Sequence, residues 1–385
     1  APLSGLADAR SCVDAAMFDA DHDGDLDIHV LNAEGGNELY SNNLDGSFRA
    51  LSESSPLLAG DQRSGRQLLV ADFDADRDAD LLLIPSSPPP QLLLNDRLWD
   101  YREDAGIAAI GQADWRAATL ADPLARGRPW LITVDASGQL QSLDLTAPDS
   151  ARMLATSSLP PAERPQLIAQ DFDGDGGTDI LLWNAHGWEL YGFDDQAQRL
   201  RLVQSAQAPL LALTSYLREP GLGPELVGVV SADQGSRLVR WPAGPGRFGF
   251  LALALSGRAD AGEGTRSNAS GLGTTALLRV ADRWRILDQL DRDSAPGQSL
   301  QPLAIGLGGA GRADFVELQW SDGVYQTELA LAGGQLHAIA EEQRQLASCP
   351  VLFAWNGERF EFVSDVLGVG GIGFFVAPGV YSEQR

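Results

Sequence analysis

The sequence predicts an all-β protein whose larger part is a β-propeller, and three observations lead there. An acidic loop followed by short apolar strands recurs down the chain at nearly constant spacing. The strands between the loops are bounded by Gly, Asn and Asp turns, and helical periodicity is scarce over the same region. A unit of about 50 residues built of three or four short strands cannot bury its apolar faces alone, so copies must stack, and radial stacking of such units gives propeller blades.

The first copy contains "FDADHDGDLDIHVLNAEGGNELYSNNLDGSFRAL", which reads as acidic loop, strand, Gly-rich turn, strand, Asp45-Gly46 hairpin and strand. The second runs from "DFDADRDADLLLI" at Asp72 and the fourth from "DFDGDGGTDILLW" at Asp171. Two fainter copies keep the strands and lose the aspartates, with Trp130 and Glu225 standing where the others have their last Asp. Taking Asp27, Asp80, Trp130, Asp179 and Glu225 as equivalent, the steps are 53, 50, 49 and 46 residues. At least five blades are readable. A propeller normally pairs its first and last blades, leaving no long exposed sheet edge.

The loops carry the chemistry. Alternate carboxylates at loop positions 1, 3, 5, 7 and 9, with glycine at 6, can fold inward around one ion, position 7 offering its backbone carbonyl. In the first copy these are Asp19, Asp21, Asp23, Asp25 and Asp27, with Gly24 at the turn. In the fourth they are Asp171, Asp173, Asp175, Gly177 and Asp179, with Gly176 at the turn. The second has Asp72, Asp74, Asp76, Asp78 and Asp80, but Arg77 replaces the glycine. That arginine carries a backbone cost if φ is positive, or places its guanidinium among the carboxylates. A donor set of hard oxygens prefers calcium to zinc or copper, so two sites are expected and a third, at Asp72–Asp80, is weaker. At ~1 mM calcium and a dissociation constant of ~10 μM, each site would add about 2.7 kcal/mol. A solvated acidic turn does not explain three recurrences in register with strands. Acid catalysis needs two carboxylates in different environments, which one alternating loop does not offer.

Composition narrows the partners. The net charge is -25, with 53 acidic residues against 28 basic ones, all of them arginine. Such a balance disfavours nucleic acid and anionic membranes and favours cations or basic protein surfaces. No apolar run is long enough to span a membrane as a helix. The chain begins at Ala1, as a processed exported protein or a trimmed one would. Cys12 and Cys349 would close a very long loop if bridged, contributing roughly 5–6 kcal/mol in the chain-entropy model; two unrelated thiols are the alternative.

The acidic loop, the "NELYSNN" strand and the "DGSF" turn together resemble the FG-GAP (VCBS-type) repeats of integrin α-subunit propellers and secreted bacterial proteins. The resemblance covers roughly residues 15–250 and implies a propeller, commonly of seven blades, with calcium in loops between strands. Beyond it, "GLG" before a strand and "VELQWSDG", where Trp320 and Gly323 frame a hairpin, are similar to the ASPIC/UnbV domain; Ser321 stands where that family usually has proline. The order of the two resembles bacterial relatives of cartilage acidic protein. The expected organisation is a propeller over 1–250, an ASPIC/UnbV-like β domain over 251–345, and over 346–385 the start of a further β-rich module that the chain leaves incomplete.

Three function classes remain. The first is a calcium-stabilised binding or scaffold protein, secreted, at the cell surface or periplasmic, holding a protein or glycan at the propeller face. The second is a propeller-based enzyme such as a calcium-dependent polysaccharide lyase; no GxSxG, HExxH or P-loop pattern is present, and His22, His29, His186 and His337 read as packed or surface residues, leaving no catalytic constellation. A deep pocket with converging Arg and Asp would favour it. The third is a subunit of a larger surface assembly, with Trp115, Trp130, Trp183, Trp188 and Trp241 either interface anchors or, more commonly, blade fillers. "SNAS" at Asn268 matches a glycosylation acceptor by pattern.

Overall fold

In the computed structural model the acidic loops each join the two innermost strands of a four-stranded antiparallel meander. The structure describes residues 5–6, 10–52, 57, 63–97, 99–110, 114–144, 147–257, 267–290, 292–294, 298–342, 351–357, 359–365, 375–377 and 380–381. Blade one comprises β1 (Cys12–Phe18), β2 (Asp27–Asn32), β3 (Glu38–Asn42) and β4 (Phe48–Ala50). Blade two comprises β5 (Gly65–Ala71), β6 (Asp80–Pro85), β7 (Gln91–Asn95) and β8 (Tyr101–Glu103), followed by a short helix, α1 (Ala105–Ile110). Blade three comprises β9 (Trp115–Ala121), β10 (Trp130–Asp135), β11 (Gln139–Asp144) and β12 (Ala147–Thr156). Blade four comprises β13 (Gln166–Gln170), β14 (Asp179–Asn184), β15 (Gly187–Asp194) and β16 (Arg199–Gln207). Blade five has three strands, β17 (Leu210–Tyr216), β18 (Glu225–Ala232) and β19 (Gly235–Trp241). The strand starts at Asp27, Asp80, Trp130, Asp179 and Glu225 coincide with the equivalences that the sequence suggests.

Consecutive blades are joined face to face. The inner strands are apolar on both faces, as in Leu81–Ile84 of blade two, because blades two to four have a neighbouring blade on either side. Four apolar clusters follow one another: blades one and two around Phe18 and Leu83, two and three around Leu82 and Trp115, three and four around Ile132 and Tyr191, four and five around Phe172 and Trp188. Trp115 and Trp188 are buried blade fillers, and Trp130 and Trp241 stack edge-on against Phe193 and Trp188. These tryptophans therefore serve packing rather than an outer interface.

From β20 (Phe250–Ser256) the architecture changes. β20 pairs antiparallel with β23 (Leu303–Gly306) and parallel with β26 (Leu336–Ala340). A second sheet has the order β22 (Arg283–Asp288), β21 (Thr275–Val280), β24 (Arg312–Gln319), β25 (Tyr325–Ala332). Side chains of both sheets, among them Leu253, Leu278, Ile305, Val316 and the fully buried Trp320, form one core, so the two sheets make a small sandwich. The blades among the described residues thus number five. The strands from β20 onward do not extend the series toward the seven that the resemblance implies, because their apolar faces close on each other.

Residues 1–341 form one compact unit and 342–385 a second, which contains the hairpin of β27 (Val351–Trp355) and β28 (Phe360–Asp365). Cys12 is exposed on the first strand, and Cys349 lies outside the described residues. Asn268 is buried, its amide donating to the Leu272 carbonyl at 2.7 Å, which commits the atom that a glycan would need.

One connection in the sandwich has no counterpart in the pattern of the sequence. Between β22 and β23 the chain crosses the inner strands of all five blades. Gln298 exchanges two 2.7 Å hydrogen bonds with the backbone of Met17 in β1. The Asp293 carbonyl accepts from Gln67 in β5, and the Arg292 carbonyl from Thr119 and Leu120 in β9. Ser294 pairs with the backbone of Leu167 in β13, and Gln301 with Ser215 and Leu217 at the end of β17.

Candidate metal centres

Each acidic loop is shaped by its own carboxylates. The last aspartate closes the loop: Asp27 accepts from the Ala20 and Asn42 amides, both at 3.0 Å, and Asp80 from those of Phe73 and Asn95, both at 2.7 Å. Asp179 accepts from the Phe172 amide at 2.8 Å. The first aspartate folds the turn, Asp19 and Asp72 taking the amides of Gly24 and Arg77, both at 3.1 Å. Position 5 is used locally, since Asp23, Asp76 and Asp175 accept from the amide two residues on.

What remains is a set of oxygens facing one another. Positions 1, 3 and 9 gather in all three loops: Asp19, Asp21 and Asp27; Asp72, Asp74 and Asp80; Asp171, Asp173 and Asp179, with ligand oxygens within 4.8 Å of one another in each. Each of the three clusters could hold a metal ion. At position 7, Asp25 is buried, Asp78 pairs with His22 and Arg97, and Gly177 brings no side chain.

The electrostatics separate the loops. In loop one Asp19 Oδ1 and both oxygens of Asp25 are buried without a hydrogen-bond partner. Burial, with the neighbouring aspartates, pushes Asp19 and Asp25 up to about 7 and Asp27 to about 8. Carboxylates crowded and buried in this way favour a cation among them, and this donor set of hard oxygens fits calcium. Loop two is similar, burial raising Asp72 to about 6 and Asp80 to about 8, but Arg102 reaches Asp74 at 3.1 Å. Arg77 does adopt a positive φ, 83°, while its guanidinium lies over the Tyr325 ring rather than among the carboxylates. In loop four burial likewise raises Asp171 to about 7 and lifts Asp179 well above its ordinary value, and the difference is a neighbouring cation. Arg285 of β22, itself buried, brings Nη1 to 3.5 Å from Asp171 Oδ2.

These shifts predict a pH dependence. A carboxyl whose folded-state value is raised binds its proton more readily folded than unfolded, so it stabilises the fold at low pH and loses that contribution as pH rises through the folded value. In chelator, the thermal midpoint is expected to fall from about pH 4, where the unfolded aspartates ionise, to about pH 8, the highest of the raised folded values, and in calcium the trend should reverse because ligands must be deprotonated. A scan of midpoint against pH, with and without calcium, checks both signs.

All four acidic-loop positions of blades one to four lie against the sandwich. His22 of loop one approaches the Ser321 carbonyl at 3.3 Å and Asp78 of loop two at 2.8 Å, bridging three elements. In the third blade, which lacks the aspartate series, Gly127 approaches Ile286. Loop four meets Phe248, whose amide donates to the Asp173 carbonyl at 2.8 Å, and Gly308, whose amide donates to that of Gly174 at 2.8 Å. Nothing in the sequence around His22 signals these contacts, which lie 56 and 299 residues away. The other histidines are dispersed; His29 is buried, and burial lowers it to about 4.

A cavity of about 810 Å³ lies between blades four and five and the crossing segment. Its wall includes Arg285, Arg292, Asp171 and Asp288, and Arg292 is paired with Asp288 at 2.7 Å. No helix among the described residues is long and apolar enough to cross a membrane.

No curated protein matches the chain. Among solved structures, similarity extends to an Agrocybe aegerita lectin that recognises non-reducing terminal N-acetylglucosamine (TM-score 0.41, 13% identity, 84% of this chain and 81% of that one). It extends to the V. cholerae biofilm matrix protein Bap1 (TM-score 0.40, 14% identity, 85% of this chain and 61% of that one). A third is the Bacillus licheniformis rhamnogalacturonan lyase PL11 (TM-score 0.29, 15% identity, 87% of this chain and 73% of that one). Family models match at two places, FG-GAP-like repeat over residues 19–83 and ASPIC and UnbV over residues 264–346, so this chain carries an FG-GAP-like repeat followed by an ASPIC/UnbV domain.

Proposed function

We propose that the chain is a calcium-stabilised binding or scaffold protein, extracellular or periplasmic, acting through protein or glycan contacts. The observation that carries this reading is the cluster of Asp19, Asp21 and Asp27 with the partnerless oxygens of Asp19 and Asp25 beside it. A cation there offsets five crowded carboxylates and ties β1 to β2 in the same loop that faces the sandwich. Calcium in this role is structural. The loop face is already covered by the sandwich, which leaves the opposite ends of the blades to a partner.

The test is thermal unfolding of chelator-stripped protein titrated with calcium and, separately, magnesium. The midpoint should rise by several degrees with calcium, the shift that about 2–3 kcal/mol per site gives in a protein of this size, and rise little with magnesium. No shift with calcium sinks the reading. Asp21→Asn should remove part of the rise without disturbing the loop-closing bonds of Asp27.

A second reading, a propeller-based enzyme such as a polyuronate lyase, is favoured by the large cavity with arginine and aspartate in its wall. Its arginines face carboxylates of the chain itself, Arg292 to Asp288 and Arg285 to Asp171, which weighs against their abstracting or stabilising anything on a substrate. Release of unsaturated oligosaccharide from polygalacturonate on incubation with the calcium-loaded protein would move this reading to first place.

A further inference from the structure

Loop four is spaced like loop one, yet its surroundings are different. Strand β22 is the edge of its sheet and carries Arg283 and Arg285 at alternate positions, hence on one face. Both reach loop four. Arg283 donates to the Asp175 carbonyl, while Arg285 donates to the Gly306 carbonyl and faces the Asp171 carboxylate. The Arg285 side chain is 6% exposed and that of Asp171 is 9% exposed, so water screens this pair little.

The glycines of the loop fit this arrangement. Gly176 has φ +102°, and a Cβ there would overlap the Arg285 guanidinium. A Cβ on Gly174 would come within 2.7 Å of the Phe250 ring and 2.9 Å of the Phe248 carbonyl. Gly306 packs so closely on the Asp171 carboxylate and the Gly174 backbone that any side chain would overlap both. Among the described residues loop one has no such neighbour: its contact with the sandwich is His22, and Asp19 Oδ1 and both Asp25 oxygens stay without partners.

We propose that the cation of loop four is the Arg285 guanidinium rather than a metal ion, which makes this loop an ionic latch between blade four and the sandwich. A divalent ion among Asp171, Asp173 and Asp179 would sit beside a buried guanidinium of like charge. The guanidinium places a positive charge against Asp171, and it comes from the sandwich. The three loops thus divide the work: loop one and, more weakly, loop two take calcium, and loop four holds the sandwich without it.

This inference rests on the calcium reading for loops one and two, and the experiment separates the two. Calcium bound per chain is counted by equilibrium dialysis for the wild type and Arg285→Gln, calcium alone being the probe. The expected result is one more ion bound by R285Q than by the wild type. A wild-type chain that binds no calcium removes the reading of loops one and two, while R285Q gaining a first ion still supports the latch. Equal counts in the two chains overturn it. Wild-type crystals grown in calcium supply a second measurement that does not depend on R285Q folding when stripped. Anomalous density in loops one and two only supports the latch, and a peak among Asp171, Asp173 and Asp179 overturns it.

Discussion

Replacing Ser294, Gln298 and Gln301 together with glycine is expected to lower the unfolding midpoint of residues 1–341 by many degrees. The crossing segment satisfies backbone groups of β1, β9, β13 and β17, and through Gln67 it also fixes β5 to β9. Gln67 is 2% exposed and spends its whole amide there, donating to Ala118 and Asp293 and accepting from the Ala118 amide. The glycines keep the Arg292 and Asp293 carbonyls but strip the Leu167 and Leu217 amides of their side-chain acceptors, and at about 1–3 kcal/mol for each buried group left without a partner the loss is a large share of the 5–15 kcal/mol that hold a domain together. Ser294→Ala is the graded version. It strips the acceptor from the Leu167 amide, 2.5 Å away, and should cost about 1–3 kcal/mol in a chemical denaturation curve with unchanged slope. If the replaced segment leaves a cooperative transition near the wild-type midpoint, the blades hold themselves and the segment is a passenger.

The contrast between loops and crossing segment shows what a sequence can reveal. The loops were legible because their chemistry is local and repeated. Alternate aspartates, a glycine at the turn and an apolar strand recur with the period of the blade, and the last aspartate of each begins β2, β6 and β14. The Asp45-Gly46 turn was legible for the same reason, and Gly46 has φ +85° between β3 and β4. The crossing segment was not, because its anchors are single amides and hydroxyls, Gln298, Gln301 and Ser294, that bond backbone far away in sequence and follow no period. Arg285 lay between these extremes. The alternation in "DRWRIL" was visible, but an alternating pair of arginines reads as a solvated edge until a partner is in place. Gly177 was read as a position needing only its carbonyl; in the fold its missing side chain also clears the Pro123 carbonyl, which a Cβ would approach to 2.5 Å.

Gly306→Val is expected to be among the most damaging single substitutions in the chain, though Gly306 is neither a ligand nor at a positive φ. It ends β23, where the backbone of the sandwich comes against loop four. The added side chain would overlap the Asp171 carboxylate and approach the Gly174 carbonyl carbon to 2.6 Å, and neither can retreat. Asp171 is fixed by the Gly174 amide at 2.6 Å, and Gly174 by the Gly308 amide at 2.8 Å. Overpacking of a site closed on all sides costs about 3 kcal/mol or more, because relief requires moving two backbones apart. That movement would also pull Arg285 from Asp171 and leave a buried charge without its partner, adding to the loss. Gly311→Val is the matched control: the same sandwich, no atom within 4 Å of the new Cβ, and an expected change within about 0.5 kcal/mol. Denaturation of the two variants in calcium reads the difference. If they are equally stable, loop four and the sandwich are only loosely apposed, and a domain contact that close-packed backbone enforces is not what holds residues 1–341 in one unit.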